Sequence, residues 1–119
     1  MTDLVQAQKA IGLLDGRWTL PIMAELARGG CRYQELHDAL GGVSYKVLTE
    51  TLRRSERDGL IARRLDRERI ETTTLYELNR ELGQSLNEPL DPMARWSASN
   101  WHSVEATRRR WDRLRQASG

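Results

Sequence analysis

Residues 41–60 read GGVSYKVLTETLRRSERDGL, and this stretch gathers the side chains best suited to grip another molecule. At helical spacing Val43, Val47, Leu48 and Leu52 fall on one side, leaving Ser44, Tyr45, Lys46, Thr49, Glu50 and Arg53 on the other. Lys46 and Arg53 are cations suited to phosphate or a guanine edge. Ser44 and Thr49 bring hydroxyls for base edges or phosphate, and Tyr45 a hydroxyl or a ring against a thymine methyl. Glu50 repels phosphate but accepts from cytosine N4; equally, it pairs with Arg53 or Arg54 on its own helix. The plain alternative for such a face is solvation, so the rest of the chain has to decide.

Charge distribution favours a polyanion. Arg53 to Arg69 holds seven arginines against Glu56, Asp58, Asp66 and Glu68, a local charge of +3. Residues 108–115 hold five arginines against Asp112, a local charge of +4. With a total of only +2, the remainder of the chain stands at −5. A molecule polarised in this way presents a basic working surface.

Catalytic and metal chemistry find no such support. His37 and His102 are isolated, with no second ligand at metal spacing. No Ser/His/Asp set, phosphate-cradling glycine loop or carboxylate pair emerges, so neither an enzyme nor a cofactor is expected. The single cysteine, Cys31, cannot form an internal disulfide, which fits a reducing, cytoplasmic setting. Lying between Gly30 and Arg32 near an expected helix start, it is placed for a lowered thiol pKa and is the candidate redox group. A quiet, partly buried thiol is the alternative. No apolar run approaches the roughly 20 residues of a membrane span, and residues 1–10 lack a signal peptide's apolar core. No membrane association is expected.

The elements that must position these groups are short. The 119 residues suit one domain with one core. Leu4, Ala7, Ile11 and Leu14 share a face of a first helix. Leu20, Met23, Ala24 and Ala27 mark a second, with Pro21 tolerable in its first turn. Tyr33, Leu36, Ala39 and Leu40 mark a third of barely two turns. Ser44 is a natural N-cap for the fourth, and Gly59 ends it. Periodicity then changes: residues 60–65 and 71–78 alternate as strands around a charged DRERI tip. Helical spacing returns from Leu82 to Trp111, with Asp91-Pro92 resembling a helix start and a break expected near Pro89–Pro92. The last helix is expected to run to about Arg115. Trp18 suits core packing at a helix start. Short helices followed by a hairpin outline a winged helix-turn-helix: mainly α, with a small β-hairpin wing. Its last short helix fits a DNA major groove.

Four motifs then carry a likeness. Gly16-Arg17-Trp18-Thr19, Arg32-Tyr33-Gln34-Glu35-Leu36, Ser44-Tyr45-Lys46-Val47-Leu48-Thr49-Glu50-Thr51-Leu52 and Asp58-Gly59-Leu60 occur in order, and the chain resembles the HxlR-type bacterial winged-helix regulators over residues 4 to about 115. The resemblance implies a cytoplasmic, homodimeric regulator of transcription, a repressor in the main reading, that reads a near-palindromic operator in double-stranded DNA. It further implies an N-terminal dimerisation helix over 1–14, a winged-helix core over 15–79 and C-terminal dimerisation helices over 80–116. The DNA-contacting set expected is Arg32, Gln34, Ser44, Tyr45, Lys46, Thr49 and Arg53, with Arg67 and Arg69 in the wing. Arg32 and Gln34 suit backbone clamps better than base readers. The interface set is Leu4, Ile11, Met93, Trp96, Trp101, Val104 and Trp111. Three indoles on one late helix are hard to hide in a small protomer, and a second copy is the simplest cover. The arginines of 108–115 suit solvent or a dimer partner better than DNA.

The chain departs from the family pattern where wings often carry a Pro-Pro-Arg-like element; here stands Ile70-Glu71-Thr72-Thr73. The cysteine that redox-sensing members carry ahead of the Gly-Arg-Trp-Thr element is missing from residues 1–15, which argues against thiol sensing by that route. A small-molecule or redox signal stays open as an input. A protein-interaction adaptor on the same fold is the competing class, expected to bind DNA weakly and without sequence preference. A thiol enzyme built on Cys31 lacks a base partner.

Overall fold

A computed structural model describes residues 1–67 and 73–118. The chain divides into two compact units, residues 1–85 and residues 86 onwards, each taken by itself below.

In the first unit, helix α1 (Leu4–Leu13) is started by Asp3, whose carboxylate accepts from the Val5 and Gln6 N–H groups at 3.1 and 3.2 Å. Helix α2 spans Thr19–Arg28, strand β1 Cys31–Arg32, helix α3 Tyr33–Leu40 and helix α4 Tyr45–Arg57. Ser44 caps α4 as its type predicts, accepting from Val47 N–H at 3.1 Å. At the other end Gly59 takes φ +79°, and two bonds close the turn: Gly59 N–H to Glu56 C=O and Leu60 N–H to Ser55 C=O. That pair is a Schellman ending, which needs the left-handed residue that glycine supplies without strain. Strands β2 (Ile61–Asp66) and β3 (Thr73–Leu78) form the hairpin, antiparallel, with Ile61 opposite Leu78 and Asp66 opposite Thr73. A short helix, α5 (Leu82–Ser85), closes the unit, its first turn capped by the Asn79 side chain.

One core holds these elements together. Ile22, Leu26, Leu36, Val43, Leu48, Leu52, Leu60 and Ile61 are all buried, joined by Met23 and Leu78. Each fully buried aliphatic side chain contributes about 1.5–3 kcal/mol, so α2, α3, α4 and the base of the hairpin are bound by burial from every side. Gly83 is a second obligatory glycine, for a different reason. A Cβ there would stand 2.3 Å from the Leu60 carbonyl oxygen, so α5 packs directly onto backbone.

Several expectations need correction. In α2 the buried face is Thr19, Ile22, Met23 and Leu26, while Leu20, Ala24 and Ala27 face outward. The helix is rotated from the expected setting because Ile22 and Leu26 bury more apolar area than the alanines. In α4, Val47 is exposed, and the small polar residues Thr51 and Ser55 take the inward places. Thr51 is accommodated because its hydroxyl donates to the Val47 carbonyl at 2.7 Å. Cys31 and Arg32 form a third strand against β3, with Cys31 opposite Tyr76, where a helix start was expected. Trp18 is half-buried, with the Arg17 guanidinium 5.0 Å from its ring centroid.

The second unit is one long helix, α6 (Asn87–Ser118). The chain breaks at Leu86, ahead of the Pro89–Pro92 stretch, and both prolines lie inside the helix. Pro89 is third in α6, where a missing N–H costs nothing because the first-turn donors have no helical partner. Asp91 is consequently not a cap; its carboxylate accepts from Arg95 at 2.6 Å. Met93, Trp96, Trp101, Trp111 and Leu114 are exposed, and Val104 is half-buried.

Candidate nucleic-acid interface

Helices α3 and α4 are locked together by side chains that the sequence presents as separate contacts. The Tyr33 hydroxyl donates to the Tyr45 carbonyl at 3.1 Å and lies 2.8 Å from the Thr49 hydroxyl. A phenol carries one proton, so with that proton on the carbonyl, Thr49 donates to the Tyr33 oxygen. The Tyr45 ring stacks on His37 with centroids 3.9 Å apart and planes 6° from parallel. Its hydroxyl meets the Gln34 amide at 3.2 Å, and Gln34 also donates to Asp38 at 2.9 Å. The first turn of α4 is therefore fixed by α3 through three side chains besides the Ser44 cap.

What remains outward on α4 is a stripe of Lys46, Glu50, Arg53 and Arg57, all exposed. Lys46 and Arg53 stand seven residues apart, two turns on one face, about 10 Å along the axis. Among the described residues neither makes an ion pair. Other cations are committed. The Arg54 guanidinium donates to the Asp15 carbonyl at 3.3 Å and the Thr19 hydroxyl at 3.1 Å, tying α4 to the α1–α2 turn. Arg32 donates to Glu35 at 3.1 Å, and Glu35 in turn accepts the Arg32 N–H at the start of α3. On β2, Arg63 donates to Glu56 of α4 and Arg64 to Glu77 of β3, each at 2.9 Å.

The sequence-selected set thus divides. Ser44, Tyr45, Lys46, Thr49 and Arg53 share α4 or its cap, and Gln34 joins them through Tyr45. Thr49 is half-buried and turned to Tyr33, so its first role is in the fold. Arg67 is exposed just beyond β2, and Arg69 lies outside the described residues. Cys31 is half-buried, and its thiol donates to the Gly29 carbonyl at 3.7 Å. Its pKa is raised, by burial first and then by the charges of Glu35 and Glu25, with Arg28 opposing. The expected lowering is reversed: neighbouring carboxylates and lost hydration outweigh the nearby cation.

Sequence reading passed over a cleft between α4 and the hairpin. It is about 170 Å³ and is lined by Tyr33, Thr49, Leu52, Arg53, Glu56, Arg63 and Tyr76. Arg63 and Tyr76 face each other across β2 and β3. The hydrogen bond from Arg63 to Glu56, then the Glu56 charge, raises the guanidinium's pKa, with a smaller contribution from Tyr76. No local signal marked this cleft, because its walls come from four elements.

Among the described residues no group of His, Cys, Asp or Glu is placed to hold a metal. No helix among the described residues is long and apolar enough to cross a membrane.

A capped helix held by its neighbour across a short turn, followed by a small antiparallel wing, defines a winged helix-turn-helix protein. The sequence profile of the HxlR-like helix-turn-helix matches residues 13–105, and the chain belongs to that family of transcriptional regulators. It is 30% identical over 100 residues to the HTH-type transcriptional regulator YtcD of Bacillus subtilis, covering 84% of this chain and 78% of YtcD. In structure it is similar to a protein described as a transcriptional regulator of the MarR family from Enterococcus faecalis V583. The TM-score is 0.75 at 30% identity, with 87% of this chain and 92% of the other covered. The reduced form of the transcriptional regulator YodB from B. subtilis aligns with a TM-score of 0.72 at 26% identity, covering 82% of this chain and 92% of YodB.

Proposed function

We propose that the protein is a cytoplasmic, sequence-specific DNA-binding repressor that reads a near-palindromic operator as a homodimer. The observation that carries this reading is the outward stripe of α4, with Lys46 and Arg53 exposed, unpaired among the described residues and two turns apart on a helix whose first turn is fixed. A span of about 10 Å matches three base pairs of a major groove. Glu50, between the two cations, suits a cytosine amino group. Arg67, beside the wing, supplies salt-sensitive affinity by releasing counterions.

Dimerisation draws support from apolar surface that each unit leaves uncovered by itself. On α1, Leu4, Val5 and Ile11 are exposed. On α6, Met93, the half-buried Val104 and Trp111 recur at intervals of about whole turns, with Trp96 and Leu114 at one edge of the same face and Trp101 at the other. A second copy is the occupant proposed for such a stripe, and a two-fold dimer reads half-sites about one duplex turn, roughly 34 Å, apart.

Duplexes selected from a random pool by the purified protein test both parts. The expected product is a sequence with two related half-sites. Lys46→Ala and Arg53→Ala are expected to weaken binding to it without unfolding the chain. Wild-type affinity in both variants would remove α4 from DNA recognition.

A further inference from the structure

We infer that the cleft between α4 and the hairpin seats one backbone phosphodiester of the bound duplex, and that this phosphate competes with Glu56 for the Arg63 guanidinium. The inference rests on the reading that α4 enters a major groove. In a duplex, one sugar-phosphate strand separates each major groove from the neighbouring minor groove. A helix in the first and a hairpin beside the second must therefore straddle that strand, which crosses the space between them. Here that space is the 170 Å³ cleft.

Its chemistry suits a phosphodiester. Arg53 lines it from α4 and Arg63 from β2, together with Tyr33, Tyr76 and Leu52. A guanidinium presents a planar fork of N–H donors that matches phosphate oxygens. Glu56 is the feature that a simple basic patch would lack. It holds Arg63 at 2.9 Å, yet the two side chains are 55% and 34% exposed. An exposed pair of this kind adds little to fold stability and exchanges partners readily. Arg53, Arg63 and Glu56 together give the cleft one net positive charge, which a single phosphate neutralises. Glu56 thus keeps Arg63 extended in the free protein and lowers the cleft's attraction for polyanions in general.

The test uses the intact protein and an operator chosen by duplex selection, with affinity measured across a series of salt concentrations. Arg63→Gln is expected to weaken operator and random duplex alike and to reduce the slope of log affinity against log salt by about 0.9, the value of one phosphate. Arg63→Lys keeps the charge and is expected to keep the slope. Glu56→Gln is expected to tighten binding to both duplexes by about 1.5- to 5-fold, the range of one exposed charge pair. Replacing phosphates one at a time by neutral methylphosphonate should reveal one position per half-site that weakens wild type but not Arg63→Gln. Thermal melts matching wild type would confirm that the exposed substitutions leave the fold intact.

Equal salt slopes for wild type and Arg63→Gln, with wild type still selecting its operator, would overturn the phosphate seat alone. Binding of millimolar inorganic phosphate that needs Arg63 but leaves the duplex bound, at constant ionic strength, would overturn it in favour of a free-anion site. Failure of wild type to bind any duplex would overturn the DNA reading and the seat together.

Discussion

Tyr33 and Thr49 offer a sharp test of how α4 is held. The Tyr33 hydroxyl makes two contacts, 3.1 Å to the Tyr45 carbonyl and 2.8 Å to Thr49. Tyr33→Phe removes both and leaves the ring in place. At about 0.5–1 kcal/mol net for each bond, the loss is about 1–2 kcal/mol. Thr49→Val is nearly isosteric and removes only the second contact, a loss of about 0.5–1 kcal/mol. Because either substitution abolishes the shared bond, the double variant should lose less than the sum of the two, by about 0.5–1 kcal/mol. Urea denaturation of the four proteins, with equal denaturant slopes, measures this cycle. For a domain of this size the single losses correspond to melting points roughly 2–8 °C lower. Strict additivity would refute the hydrogen bond, and the assignment of Thr49 to the fold with it. The same proteins carry a functional arm: Thr49→Val should cost operator affinity less than Lys46→Ala, since the Thr49 hydroxyl is turned toward Tyr33. A larger loss from Thr49→Val would return that residue to the DNA-contacting set.

Gly83→Ala should destabilise the first unit by about 1–3 kcal/mol in the same denaturation assay, because the Leu60 carbonyl that meets the new methyl is backbone. Truncation after Pro92 removes most of α6 and its exposed indoles; light scattering should then report a monomer, against the dimer expected of the full chain. Alkylation of Cys31 should be slow at neutral pH, with its pH profile displaced upward from that of a free thiol, because burial and then the charges of Glu35 and Glu25 hold the proton on. A profile displaced downward would place a stabilising cation at the thiolate. Ser44→Ala should cost about 1 kcal/mol of stability through the lost cap on α4.

Much of the scaffold was readable one residue at a time. Ser44 and Gly59 marked the ends of α4 because capping and left-handed turns are local requirements, met by a single side chain or by the lack of one. The hairpin was readable for a related reason, since alternation and β-branching between residues 73 and 78 bias the backbone directly. Where two local signals competed, reading by residue type misplaced the outcome. Asp91-Pro92 had the form of a helix start, yet Asn87 begins α6, and the interruption falls at Leu86. Val47 had the type of a core residue, while Thr51 and Ser55 occupy the inward positions. Side-chain type alone does not fix the helix's rotation against its neighbours.

The amino-acid order by itself determined the family and the boundaries of α4, because these depend on motifs and caps within a few residues. Tertiary structure alone decided which polar groups remain available to a partner. It engaged Thr49 and Arg54 in contacts 16 and 35 residues distant, half-buried the Cys31 thiol within the field of Glu35 and Glu25, and set Glu56 against Arg63 across two elements. Hydrogen bonding and ion pairing act over a few ångströms of space, and only the folded chain brings residues that far apart in sequence within that reach.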